Sequence, residues 1–132
     1  MAPRPVDLRF PLRQFVGFEL DTPGDGTCVG RCTVSPAHLN PNGVVHGGVI
    51  FTIVDTAMAS ACTGVLESGK TCASIEIHLR FLRPVTQGEM IVEANILKMG
   101  RRVIQLEAGV RNSAGNLLAS ASGSFAVVPA AS

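Results

Sequence analysis

The chain has almost no net charge: 11 lysines and arginines stand against 10 aspartates and glutamates in 132 residues, a formal +1. Without a basic patch or polybasic tail there is no electrostatic footprint for nucleic acid and none for an anionic membrane surface. The four cysteines, Cys28, Cys32, Cys62 and Cys72, include no C-x-x-C pair, and with His38, His46 and His78 they make no cluster at zinc spacing. Reduced core thiols, no metal and no cofactor are expected. The N-terminal stretch lacks an apolar run long enough for a signal-peptide core, so a cytoplasmic protein is expected. The pattern G-x-S-x-G is absent, which removes a serine nucleophile of the elbow type. With no internal repeat, low-complexity tract or linker, the chain reads as one domain over 1–132, residues 1–13 being an N-terminal extension.

What is present has a clear order. Residues 14–22 and 27–35 read as two short strands around the turn-forming Pro23-Gly24-Asp25-Gly26. A loop over 36–45, rich in proline and asparagine, leads into an apolar stretch at His46. From Gly47 to Leu66 no proline or turn cluster interrupts, and the length exceeds any ordinary strand, which predicts a helix of about 20 residues. Its apolar residues run all the way round, the mark of a helix buried on most sides. Ser74–Phe81 alternates polar and apolar residues, and 88–98, 101–111 and 116–128 continue as an antiparallel meander separated by turns. The fold class is therefore α+β: a long central helix wrapped by a five- to six-stranded antiparallel sheet.

Two features invite other readings. Val44–Leu66 is long enough to span a bilayer, yet it carries Asp55 at its middle and Gly47, Gly48 and Gly64, so no membrane span is expected. Gly64–Thr71 matches the phosphate-loop pattern G-x-x-x-x-G-K-[ST]. That loop binds phosphate only where a helix follows it, and here a helix precedes and an alternating strand follows.

Asp55 is the only charged residue between Val49 and Leu66. Taking an ionised carboxylate out of water costs several kcal/mol unless it is paired or functional. His46-Gly47-Gly48 stands at the helix start, where unpaired backbone N–H groups and a partial positive charge can meet a developing oxyanion. Gly47 and Asp55 are eight residues apart, about 12 Å of rise and about 80° of rotation on a helix. One chain cannot aim both at one carbonyl, so a two-fold homodimer with shared sites is expected if both act together. By alternation Ser74 lies opposite the face of Ile75, Ile77 and Leu79 that should cover the helix of its own chain, leaving it to a partner's site or to the surface.

Asn40-Pro-Asn-Gly-Val-Val-His46-Gly47-Gly48, Asp55 nine residues after the histidine, Ser74, and Phe81-Leu82-Arg83-Pro84 together resemble the phenylacetate-type (PaaI-like) hotdog-fold acyl-CoA thioesterases, over roughly residues 36–128. The resemblance implies hydrolysis of an aryl- or medium-chain acyl-CoA to acid and CoA. Asp55 would then be general base or nucleophile, and the Gly47 N–H would polarise the carbonyl. Asn40 and His46 would hold the loop and orient carbonyl or water, and Ser74 would help position the water. A dimer, and a homotetramer built from it, is also implied. Gly48, Phe51 and Met58 are candidates to line the substrate, and Arg83, Lys98, Arg101 and Arg102 to meet the CoA phosphates. A non-catalytic acyl-CoA-binding hotdog protein and a hotdog hydratase or dehydratase are the rivals.

Overall fold

The first described element runs against the expected strand. In the computed structural model, which describes residues 10–131, Pro11–Val16 form a short helix, α1. Pro11 suits the start of a helix, where its missing N–H is not needed. Gly17 ends it at φ +85°, its N–H reaching the Arg13 carbonyl at 2.7 Å, a left-handed cap that glycine adopts without strain. Gln14–Val16, read as strand, thus belong to helix. Residues 11–13, assigned to an extension, lie in its first turn, with Arg13 buried and donating to the Phe18 carbonyl and to Glu19. Phe10 is the N-cap of α1, and residues 1–9 of that extension lie outside the described residues.

Thereafter the expected order holds: β1 (Phe18–Asp21), β2 (Thr27–Thr33), a single 3-10 turn (Pro36–His38), the helix α2 (Gly47–Thr63), and then β3 (Lys70–Phe81), β4 (Glu89–Met99), β5 (Val103–Asn112) and β6 (Leu117–Pro129). All neighbouring strands are antiparallel, in the order β1-β2-β4-β5-β6-β3. The six-stranded sheet curls around α2, which is the hotdog arrangement. Gly64–Thr71 runs from the C-terminal end of α2 into β3, so no helix start follows the phosphate-loop look-alike. No helix among the described residues is long and apolar enough to cross a membrane.

The core lies between α2 and the concave face of the sheet. Ile53, Val54, Ala57, Met58, Ala61 and Cys62 meet Met90 and Val92 of β4, Ile104 and Leu106 of β5 and Phe125 of β6, all sealed from solvent. Each large side chain so buried contributes about 1.5–3 kcal/mol. Gly123 makes the close seat possible: a Cβ there would stand 3.0 Å from the Met58 sulfur. The helix is not covered all round, as its composition suggested. Gly48 and Phe51 are exposed and Thr52, Asp55, Thr56 and Ala59 half-buried, one stripe along the side next to β3.

β3 is an edge strand and contains an irregularity that alternation cannot show. Its register against β6 slips between Ser74↔Phe125 and Glu76↔Ser124, leaving Ile75 as an extra residue. Such a bulge reverses the facing of everything on one side of it. Cys72 therefore packs with Ile77 and Leu79 against the core, and Ser74 turns to the helix, while Ile75 is 56% exposed. The expectation that Ser74 faces away from its own helix is corrected by this one residue.

Candidate active site

Two clusters of polar groups flank α2. The first is at its middle, where Asp55 stands in the open stripe. Ser74 Oγ donates to Asp55 Oδ1 at 2.7 Å from β3 of the same chain. The hydroxyl fixes one carboxylate oxygen and leaves the other, Oδ2, free of partners among the described residues. Asp55 is half-buried rather than sealed in the core, so water and a ligand can reach it.

The second cluster is at the helix start. Asn40 opens a tight turn in which its Oδ1 accepts from the backbone N–H of Asn42 (2.9 Å) and Val44 (3.3 Å), and its own N–H donates to the Val44 carbonyl at 2.7 Å. The carbonyl half of its side chain is thereby committed, and the Nδ2 amide is the half available to a ligand. His46 is the helix cap: its Nδ1 accepts from Gly48 N–H at 2.8 Å. A ring nitrogen that accepts is unprotonated, so the neutral ring carries its proton on Nε2. Val49 N–H is taken by the His46 carbonyl at 3.0 Å. Of the first N–H groups of α2, that of Gly47 alone has no acceptor among the described residues, whereas Gly48 N–H is already used by the cap.

Gly47 also borders a cleft of about 370 Å³ lined by Val44, Val45, Ile50, Phe81, Leu82, Arg83, Pro84 and Val85. A Cβ at Gly47 would lie 2.8 Å from the Phe81 ring edge, so the backbone meets the aromatic ring with no room for a side chain. Arg83 is thus at the helix start. Arg101 and Arg102 are elsewhere: with Gly69, Lys70 and Val127–Pro129 they line a second cleft of about 370 Å³ at the other end of β3. Lys98, exposed in β4, lines neither.

The remaining expected residues separate. Phe51, 40% exposed, lies one turn before Asp55 on the open stripe. Met58 does not: it is fully buried under β6, so its expected place in the substrate lining is withdrawn. Cys28, Cys32 and Cys62 are buried free thiols and Cys72 is half-buried. Burial pushes the Cys28 and Cys32 thiols up. The nearness of the two thiols raises Cys62 and lowers Cys72, while the Cys72 Sγ donates to the Ala59 carbonyl at 3.6 Å. No group of three metal-ligating side chains occurs among the described residues.

One residue at this site was passed over in the sequence. His38 is buried in the loop below His46, both ring nitrogens engaged. Its only sequence signal is a lone histidine two residues before Asn40.

The model of the thioesterase superfamily matches residues 42–119. An Archaeoglobus fulgidus protein with a provisional esterase name is 35% identical over 91 residues, 68% of this chain but 57% of that protein's length. Human acyl-coenzyme A thioesterase 13 is 32% identical over 101 residues, 74% of this chain and 69% of that one. Among solved structures, the PaaI protein from the phenylacetic acid degradation operon of Escherichia coli superposes with a TM-score of 0.83 at 22% identity, covering 91% of this chain and 86% of that one, a likeness of fold.

Proposed function

We propose, on the premise that this chain belongs to the thioesterase superfamily as a PaaI-like hotdog thioester hydrolase, that it hydrolyses aryl- or medium-chain acyl-CoA at a site shared between two copies. The observation that carries this reading is the Asp55–Ser74 pair, a carboxylate oriented by a hydroxyl in the open stripe of an otherwise core-forming helix. The thioester carbonyl would accept from the Gly47 N–H of the other copy, with Asn40 Nδ2 and His46 Nε2–H beside it. A fixed donor aimed at a developing oxyanion is often the largest electrostatic contribution to acyl transfer. With Asp55 as general base, a water oxygen bonds to the acyl carbon, its proton passes to Asp55, the C–S bond breaks, and CoA leaves as a thiolate. With Asp55 as nucleophile, its oxygen bonds to the acyl carbon as the C–S bond breaks and CoA leaves as a thiolate, and water then opens the anhydride to the acid and the free carboxylate; both routes need the same carboxylate.

The sharing rests on topology. Among the described strands β3 is paired only with β6, so its other edge offers twelve residues of backbone for pairing. Ile75, Phe81 and Leu82 are exposed on or beside it, and a long apolar edge is a site of association. Two β3 edges meeting antiparallel about a two-fold axis set the Lys70 end of one against the Phe81 end of the other. Lys70, Arg101 and Arg102 of one copy and Arg83 of the second would then flank one groove, cations suited to the CoA phosphates. Phe51 and Gly48 would line the acyl end. A tetramer of two such dimers completes the proposal.

The test is free-thiol release from a panel of aryl-, medium- and long-chain acyl-CoAs by this protein and by Asp55→Asn, with the oligomer measured in both. A loss of about a hundredfold or more, within the range of acid–base groups, with the assembly intact, supports the reading. Equal turnover in both would make the carboxylate structural, and CoA ester binding without turnover would point to a binding protein.

A further inference from the structure

We infer that His38 is a positioning residue for the helix-start half of the site, holding the Gly47 N–H and the Asn40 amide where a thioester carbonyl can reach them; this rests on the thioesterase reading above. His38 is 6% exposed at the end of the 3-10 turn Pro36–His38. Its Nδ1 accepts from Ser35 N–H at 3.0 Å, and its Nε2 faces the Val16 carbonyl at 2.6 Å. A ring that accepts at Nδ1 must donate from Nε2, so one tautomer satisfies both. The backbone carbonyl of the same residue accepts His46 N–H at 2.8 Å.

Three segments meet on this one residue. Its ring ties the end of α1 to the entrance of the loop, and its carbonyl ties the loop to the residue that caps α2. From there the chain of bonds is short: His38 O holds His46, His46 Nδ1 holds Gly48, and the Gly47 N–H between them has no acceptor among the described residues. The Leu39↔Val45 bridge stands beside the His38–His46 bond and closes the turn that carries Asn40. At its far end the loop is held by Val45 N–H donating to the Val85 carbonyl at 2.7 Å. His38 touches no atom of the proposed substrate, so its effect would pass through backbone placement.

Replacing His38 by phenylalanine keeps the ring and removes both side-chain hydrogen bonds. A displacement of about 1 Å can cost on the order of 100-fold in rate. The expected result is a fall in kcat of roughly tenfold or more with little change in KM, because an oxyanion donor acts mainly in the transition state. Amide exchange should rise at His46, Gly48 and the Asn40 turn while β4 and β5 keep their protection. His38→Asn, whose Oδ1 can take the Ser35 N–H, should recover part of kcat.

A wild-type kcat in His38→Phe would overturn the inference. So would exchange rising equally through β4 and β5, since His38 would then serve general stability; if the phenylalanine variant does not fold, His38→Asn decides by the same two readouts. Failure of the thioesterase reading shows separately, as absence of thiol release by the unmodified protein. In that case unchanged exchange at His46 and Gly48 in the variant refutes the hold of His38 on the loop, and a local rise upholds His38 as the residue that fixes it.

Discussion

Ser74 and Asp55 are joined by a 2.7 Å hydrogen bond within one chain, and they meet because Ile75 is an extra residue in β3. Without that bulge Ser74 would share the outer face with Glu76 and His78. The bond fixes the rotation of the Asp55 carboxylate and so the direction of its free oxygen.

Ser74→Ala should therefore lower kcat by about 10- to 100-fold, since a hydrogen bond to a charged group is worth about 1.5–3 kcal/mol. Ser74→Thr keeps a hydroxyl on a residue suited to strand and should keep most of the rate. Thiol release by the two variants checks this. Equal loss in both would mean that packing at position 74, not the hydroxyl, is what matters.

The same bulge marks the limit of what the sequence discloses. The order of strands and the long helix are legible because hydrophobic period and turn chemistry are local properties. Asp55 is legible because one charge in an apolar stretch is conspicuous. Ser74 is not, since Ser-Ile-Glu-Ile-His-Leu alternates perfectly and a bulge depends on how β6 pairs with it. Gln14–Val16 mislead in the same way: Phe15, Val16 and Phe18 resemble a strand until the Gly17 cap is seen. Met58 is apolar and close to Asp55 along the helix, but only the packing of β6 shows that it is sealed. His38 acts through Val16, 22 residues away, a distance at which periodicity is silent.

Asn40 separates structure from chemistry within one side chain. Asn40→Asp keeps an oxygen to accept from Asn42 and Val44 N–H but loses the Nδ2 donor. Thermal stability should stay close to that of the unmodified protein while kcat falls by about tenfold or more, the scale for loss of a polarising donor. Asn40→Ala should lose both, with a lower Tm. Melting curves read beside thiol release distinguish the two contributions, and a fully active Asn40→Asp would remove the amide from the mechanism.

The two thiols that face each other between α2 and β3 should differ in reactivity. Cys72 is the half-buried one of the four, and the nearness of the two thiols lowers Cys72 and raises Cys62. A lowered thiol holds more thiolate at a given pH, and thiolate is the form that alkylates. Native protein treated with iodoacetamide should label at Cys72 before Cys28, Cys32 or Cys62, as peptide mass mapping would read. Cys62→Ala removes that polar neighbour and should move the midpoint of the Cys72 rate–pH curve upward, whereas Cys62→Ser keeps one and should move it less.

The sharpest test of a shared site is to inactivate its two halves in different chains. Asp55→Asn spoils the carboxylate half and Asn40→Asp the loop half. If each site takes one half from each copy, a dimer of one variant with the other contains one site with both defects and one with neither. Each homodimer has two damaged sites. Random pairing from an equal mixture makes half of the dimers mixed, so about a quarter of the unmodified activity should return, as two-fold symmetry requires. Co-expression with two affinity tags isolates the mixed dimer, in which about half the activity is expected by the same reasoning. If each chain holds a complete site, no pairing restores anything and the mixed dimer is as slow as its parents. The outcome depends on where the helix start of one copy stands relative to Asp55 of the other, and on nothing about which acyl group is used.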